Sequence, residues 1–141
     1  MSFVTTILRD TAITTGSPSG GFVTVKATFA SDTATNLILD AHSLKGFVNG
    51  CKLDLVRAWW SFSIGNYDTD NRNDCIIEFK STGTDVVALH LSGTGHYDGT
   101  AGAIKGTAVN ATATSSDITA QTKTTSGFVI LEFKKDSAWV A

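Results

Sequence analysis

Apolar residues in this chain recur at every second position of short runs, and no stretch carries the three-and-four spacing of a long amphipathic helix. A chain patterned this way buries its apolar side chains by stacking strands. Phe22-Val-Thr-Val-Lys-Ala-Thr-Phe29 places Val23, Val25, Ala27 and Phe29 on one side, the better core face, and Phe22, Thr24, Lys26 and Thr28 on the other. Along Asp85–Leu91, Val87, Leu89 and Leu91 share one face, and Val86, Ala88 and His90 the other. Between Cys51 and Ile64 the parity changes. Leu53 and Leu55 alternate with Asp54, but Val56, Ala58, Trp60, Phe62 and Ile64 carry the opposite phase, which predicts a β-bulge or a strand that crosses between sheets. Phe3–Leu8 (a first strand or an extended arm), Asn36–Asp40, Cys75–Lys80, Ala103–Val109 and Gly127–Lys134 bring the total to eight runs.

The text between the runs is turn text. Gly-Ser-Pro-Ser-Gly-Gly closes the Thr11–Gly21 connection, and Ser81-Thr-Gly-Thr84 is short enough for a hairpin. Asp40-Ala-His-Ser-Leu-Lys-Gly46 suits one helical turn. Ser92-Gly-Thr-Gly-His-Tyr-Asp-Gly-Thr-Ala-Gly-Ala103 opens a Thr/Ser/Ala-rich tract that reads as flexible from Thr100 to Thr125. At 141 residues, 42% hydrophobic and 17% charged, the chain is long enough for one real core and too apolar to be disordered throughout. The expected fold is all-β: an antiparallel β-sandwich or jelly-roll-like single domain over residues 22–141, with long Gly/Thr-rich loops. Residues 1–21 form an N-terminal strand or arm and its flexible connection. Val25, Leu55, Ile77, Leu89, Ile130 and Phe133 are the expected core.

A net charge of −2 offers no basic field for nucleic acid or anionic lipid. The first residues carry neither a basic segment nor a long apolar one, so no signal peptide is expected, and no run approaches the length of a membrane span. Cys51 and Cys75 each open an apolar run after a turn and read as two small buried hydrophobes, in keeping with assembly in a reducing cytoplasm.

Candidate chemistry fails on spacing. Asn66-Tyr-Asp-Thr-Asp-Asn-Arg-Asn-Asp74 clusters oxygen ligands that suit Ca²⁺, yet Arg72 holds a ligand-spaced position and no glycine marks the sharp turn. An exposed turn built on Asx hydrogen bonds is the better reading. Gly93-Thr-Gly-His-Tyr-Asp-Gly99 matches no phosphate-loop spacing and lacks the lysine. Its glycines instead allow positive φ where a strand leaves the sheet, so that Tyr97 packs back onto it. His42, His90 and His96 stand in no ligand-spaced pair and beside no nucleophile motif. Glu78 and Glu132 both fall on strands, and a glycan hydrolase would need two carboxylates facing one cleft. No catalytic residue, metal or cofactor is assigned. Trp59 and Trp60 are adjacent on a strand and must point to opposite faces, one into the core and one free to anchor a neighbour or stack on a sugar. Trp59, Trp60, Tyr97 and Phe3 are the candidate interface residues.

Three segments carry a family likeness: Leu55-Val-Arg-Ala-Trp-Trp-Ser-Phe-Ser63, Asp85-Val-Val-Ala-Leu-His-Leu-Ser-Gly-Thr-Gly-His-Tyr-Asp98 and Ser126-Gly-Phe-Val-Ile-Leu-Glu-Phe-Lys-Lys135. With a late Asp-Ile-x-x-x-Thr element, met at Ser116-Asp-Ile-Thr119, the chain from Leu53 onward resembles small virion proteins of tailed bacteriophages, particularly those of marine and cyanobacterial hosts. The Asn66–Asp74 loop is longer than the family pattern, and the N-terminal third has no counterpart in it. The resemblance implies a virion structural protein made in the host cytoplasm, a capsid decoration (cement) protein that binds the major capsid protein. It also implies a homo-oligomer, a trimer on local threefold positions. The alternative is a tail, neck or fibre component with a glycan- or receptor-binding role. The sequence adds to the oligomer expectation that few lysines guard the edges of Phe22–Phe29 and Gly127–Phe133. The stretches Phe3–Thr15 and Thr100–Thr125 are expected to order on contact with a partner.

Overall fold

The computed structural model describes residues 2–13, 21–63, 73–81, 84–100, 102–106 and 117–140. These form nine strands: β1 (Ser2–Asp10), β2 (Phe22–Asp32), β3 (Thr35–Leu39), β4 (Leu53–Phe62), β5 (Asp74–Phe79), β6 (Val86–Leu91), β7 (Thr94–Tyr97), β8 (Ile118–Lys123) and β9 (Thr125–Lys135). All pair antiparallel in two sheets, a five-stranded one in the order β1-β2-β9-β4-β7 and a four-stranded one in the order β3-β8-β5-β6. The two sheets face each other across one core, as in a β-sandwich. Phe79 of the four-stranded sheet meets Phe133 of the five-stranded sheet edge-on, ring centroids 6.2 Å apart.

Alternation decides which side chains enter that core. Val23, Val25, Ala27 and Phe29 of β2 are all buried, as their period-two spacing predicts. The parity change in the fourth strand is a register irregularity between Leu55 and Arg57, opposite β9. It lets Leu53 and Leu55 on one side of it, and Ala58 and Phe62 on the other, all point inward. Of the expected core, Val25, Leu55, Ile77 and Phe133 are buried; Leu89 lies half-buried on edge strand β6, packed against the core. Ile130 is a correction. β9 runs against β2 without slippage from Gly127 to Lys134, so Ile130 has the opposite parity to Leu131's neighbours Val129 and Phe133 and faces outward. Val87 also leaves its expected face, because the β5–β6 ladder slips at Ala88 and pairs Val87 with Glu78.

Of the two readings of Phe3–Leu8, strand and extended arm, the strand is the one that forms: β1 is hydrogen-bonded along β2 from Ser2 to Asp10. Three further expectations change. The tract expected to be flexible from Thr100 to Thr125 contains β8, an interior strand between β3 and β5, with Ile118, Thr119, Ala120 and Thr122 buried. Phe22–Phe29 and Gly127–Phe133 are not edges but interior strands; the edges are β1, β7, β3 and β6. Ala103–Val109 supplies only a bridge between Ile104 and Leu55 within its described part. The helical turn materialises as a 3₁₀ turn over Ala41–Ser43.

Close contact requires glycine at several positions, Gly127 and Gly95 among them. A Cβ on Gly127, at φ +138°, would stand 2.1 Å from the Ser61 carbonyl oxygen, where β9 and β4 approach. A Cβ on Gly95 would stand 2.7 Å from the Trp60 ring, so β7 can cover that indole only with glycine there.

Cys51 and Cys75 are buried free thiols. Burial, reinforced by the Asp74 and Asp32 carboxylates, pushes the Cys75 thiol up to about 12, and burial raises Cys51 as well. Because the thiolate is the reactive form, a thiol reagent at pH 8 should modify neither cysteine of the folded chain and both after denaturation. Rapid native labelling of Cys75 would show that β5 opens readily.

Candidate interaction face

The outer face of the five-stranded sheet is assembled by register from all five strands. One cross-strand row reads Val4, Thr28, Phe128, Ser61, Thr94. The next reads Thr6, Lys26, Ile130, Trp59, His96. A third reads Arg9, Thr24, Glu132, Arg57, and a fourth Phe22, Lys134, Asp54. Neighbours in a row stand close enough for their side chains to touch, so the sheet presents Phe128, Ile130 and Trp59 as one apolar cluster. Phe128 and Ile130 are half-buried by their neighbours, whereas Trp59 is 39% exposed.

Cations frame the cluster. Glu132 accepts from Arg57 Nε at 2.9 Å and pairs with Arg57 Nη2 at 2.8 Å, while Arg9 Nη2 approaches its other oxygen at 3.7 Å. One carboxylate therefore holds two guanidiniums, whose side chains stay about half exposed at 50% and 45%. Arg9 also lies over the Phe22 ring at 4.9 Å, and Lys26 over Phe128 at 5.9 Å. Arg9, Lys26, Arg57 and Lys134 stand against Glu132 and Asp54, so this face is net positive on a chain whose net charge is −2.

The four candidate interface residues do not share this face. Trp59 alone lies on it. Trp60 points the other way, half-buried against the core, its indole N–H donating to the Ser92 carbonyl at 3.1 Å. Tyr97, opposite Ala58, also packs inward, and its hydroxyl donates to the Gly102 carbonyl. Phe3, opposite Phe29, lies on the core side of β1 yet is 37% exposed at that outermost strand. Sequence reasoning missed Arg9, Arg57, Phe128 and Ile130 as surface partners of Trp59. The signal that finds them is cross-strand register, above all β9 lying between β2 and β4.

The remaining sequence candidates are scattered. Asp68 and Asp70 of the polar loop lie outside the described residues. Glu78 is paired with Thr119 and Val87 on the four-stranded sheet, Glu132 belongs to the other sheet, and the two share no cleft. His96 is exposed beside Trp59, and His90 Nε2 lies 2.7 Å from Asp74 Oδ2. Among the described residues, no helix is long and apolar enough to cross a membrane. No protein-family model, curated protein or solved structure matches the chain.

Proposed function

We propose that the chain is a virion structural protein, a capsid decoration protein that seats the outer face of its five-stranded sheet on the shell of a tailed phage and does no chemistry of its own. The observation that carries this reading is the Trp59–Ile130–Phe128 cluster framed by Arg9 and Arg57. Tryptophan and arginine dominate binding energy at protein interfaces, and here strands, not loops, hold them in place. The positive balance of the face suits an acidic patch on the major capsid protein and speeds encounter. The likeness of Leu55–Ser63 and Asp85–Asp98 to phage virion proteins supplies the particle. Edge strands β1 and β6, with Val4, Ile7, Leu8, Val86 and Val87 exposed, favour self-association around a symmetry axis, and the trimer rests on the resemblance.

A ligand that binds the assembled shell and not its disrupted state stabilises the shell by mass action. Particles lacking the protein should therefore assemble but release their genome at lower temperature or lower ionic strength, and purified protein added back should restore the wild-type release temperature. Particles that are equally heat-stable without it, yet fail to adsorb to host cells, would establish the tail or fibre receptor-binding role instead.

A further inference from the structure

Where β3 ends, Asp40 caps the 3₁₀ turn Ala41–Ser43, and Asp117, the residue before β8, lies against that turn. His42 Nδ1 is 3.3 Å from Asp40 Oδ1 and 3.4 Å from Asp117 Oδ1, and the three ligand atoms all lie within 4.8 Å of one another. A ring nitrogen carries at most one proton, so it cannot donate fully to two carboxylate oxygens at once. Two donors bound to a tetrahedral zinc at about 2.0–2.1 Å stand roughly 3.3–3.4 Å apart, the separation seen on both sides of the imidazole.

The surroundings hold the three groups in place. The His42 backbone N–H donates to Asp40 Oδ1 at 3.0 Å, and the Ala41 N–H donates to Asp117 Oδ1 at 2.9 Å, so each carboxylate oxygen is oriented from behind. The His42 ring packs against Phe47 with centroids 4.9 Å apart. Asp117 is 2% exposed. A second carboxylate beside it, with one imidazole between them, leaves a deficit of positive charge in a place that is costly for an anion. The Asp40 side chain remains 49% exposed, which opens the cluster to solvent.

We propose that Asp40, His42 and Asp117 form a zinc site, with water completing the coordination shell. One imidazole nitrogen and two carboxylate oxygens suit Zn²⁺ better than Ca²⁺, which takes about six to eight oxygens, or Mg²⁺, which demands an octahedron. The ion ties the turn after β3 to the approach of β8, segments 76 residues apart in the chain. This inference stands apart from the docking face, which lies on the other sheet.

The test is calorimetric titration of ZnCl₂ into the full chain after chelator treatment, paired with thermal melts. One equivalent of zinc should bind per chain and raise the melting temperature, and CaCl₂ at the same concentration should do neither. His42→Ala and Asp117→Asn should both abolish the one-equivalent titration, whereas His90→Ala and His96→Ala should leave it intact. Asp117→Asn retains an oxygen for the Ala41 N–H and removes a buried charge, so without zinc this variant should melt at or above the wild type. That separates a lost ligand from a lost fold. Absence of a one-equivalent titration in the wild type, or its survival in both His42→Ala and Asp117→Asn, would overturn the proposal.

Discussion

Replacing Lys135 with methionine is expected to lower the unfolding free energy by about 3–5 kcal/mol, the cost of leaving a partly buried charge without its partner. For a domain of this size that corresponds to a fall of roughly 10–17 °C in Tm. The Lys135 side chain is fully buried. Its ammonium donates to Asp10 Oδ1 at 2.6 Å, to the Thr11 carbonyl at 3.0 Å and to the Lys45 carbonyl at 2.7 Å, which uses all three of its protons. The Trp139 ring lies 5.0 Å away, and the other oxygen of Asp10 accepts from the Lys45 N–H at 2.9 Å. One ammonium thus joins the end of β1, the chain beyond the 3₁₀ turn, and the end of β9. Methionine fills the volume but leaves Asp10 facing an apolar group and strands two carbonyls. Urea unfolding of Lys135→Met, Asp10→Asn and the double variant would measure this. The double variant should recover part of the loss, because no lone charge remains. If Lys135→Met unfolds within about 1 kcal/mol of the wild type, the junction contributes little.

Trp59→Ala should weaken binding to the partner surface by about 2 kcal/mol, roughly thirtyfold in Kd, while leaving the melting temperature nearly unchanged. The neighbouring substitution should behave in the opposite way. Trp60 packs inward under Gly95 and bonds to Ser92, so Trp60→Ala should cost about 3 kcal/mol of stability or more by opening a cavity. Binding of folded Trp60→Ala should stay near wild type. Particle-binding curves for both variants, set beside their melts, read this contrast directly. Equal loss of affinity in both, tracking loss of fold, would remove Trp59 from the interface.

Much of the fold was legible because one face of the interior strands β2, β4 and β5 is buried, and burial enforces alternation. The phase of β2 and the parity break at Val56 both follow from that rule alone. β8 escaped detection for the converse reason. Ile118-Thr-Ala-Gln-Thr-Lys123 is too small and polar to look interior, yet Thr122 is buried because its hydroxyl donates to Asp32 Oδ2 and its N–H to the Ala34 carbonyl. β7 escaped because its glycine looked like loop chemistry, when it was making room for an indole. The docking face was half legible: adjacent tryptophans announced one outward ring, but its companions on β1, β2 and β9 depend on pairings between strands far apart in sequence. Asp117 was out of reach for the same reason, since nothing local joins it to His42.

The place of β9 has a consequence for how the chain is made. It bonds to β2 on one side and β4 on the other, and it is the last of the nine strands in chain order. During synthesis the β1–β2 hairpin and the β4–β7 pair emerge with no common neighbour. At about 5–20 residues per second, the stretch between the end of β2 and the end of β9 takes on the order of 5–20 seconds to appear. From the completion of β4 onward, the β2 and β4 edges that β9 will occupy are both without that partner. Neither sheet can close until the chain's last two strands are made, because β8 must enter between β3 and β5 just before β9 enters between β2 and β4.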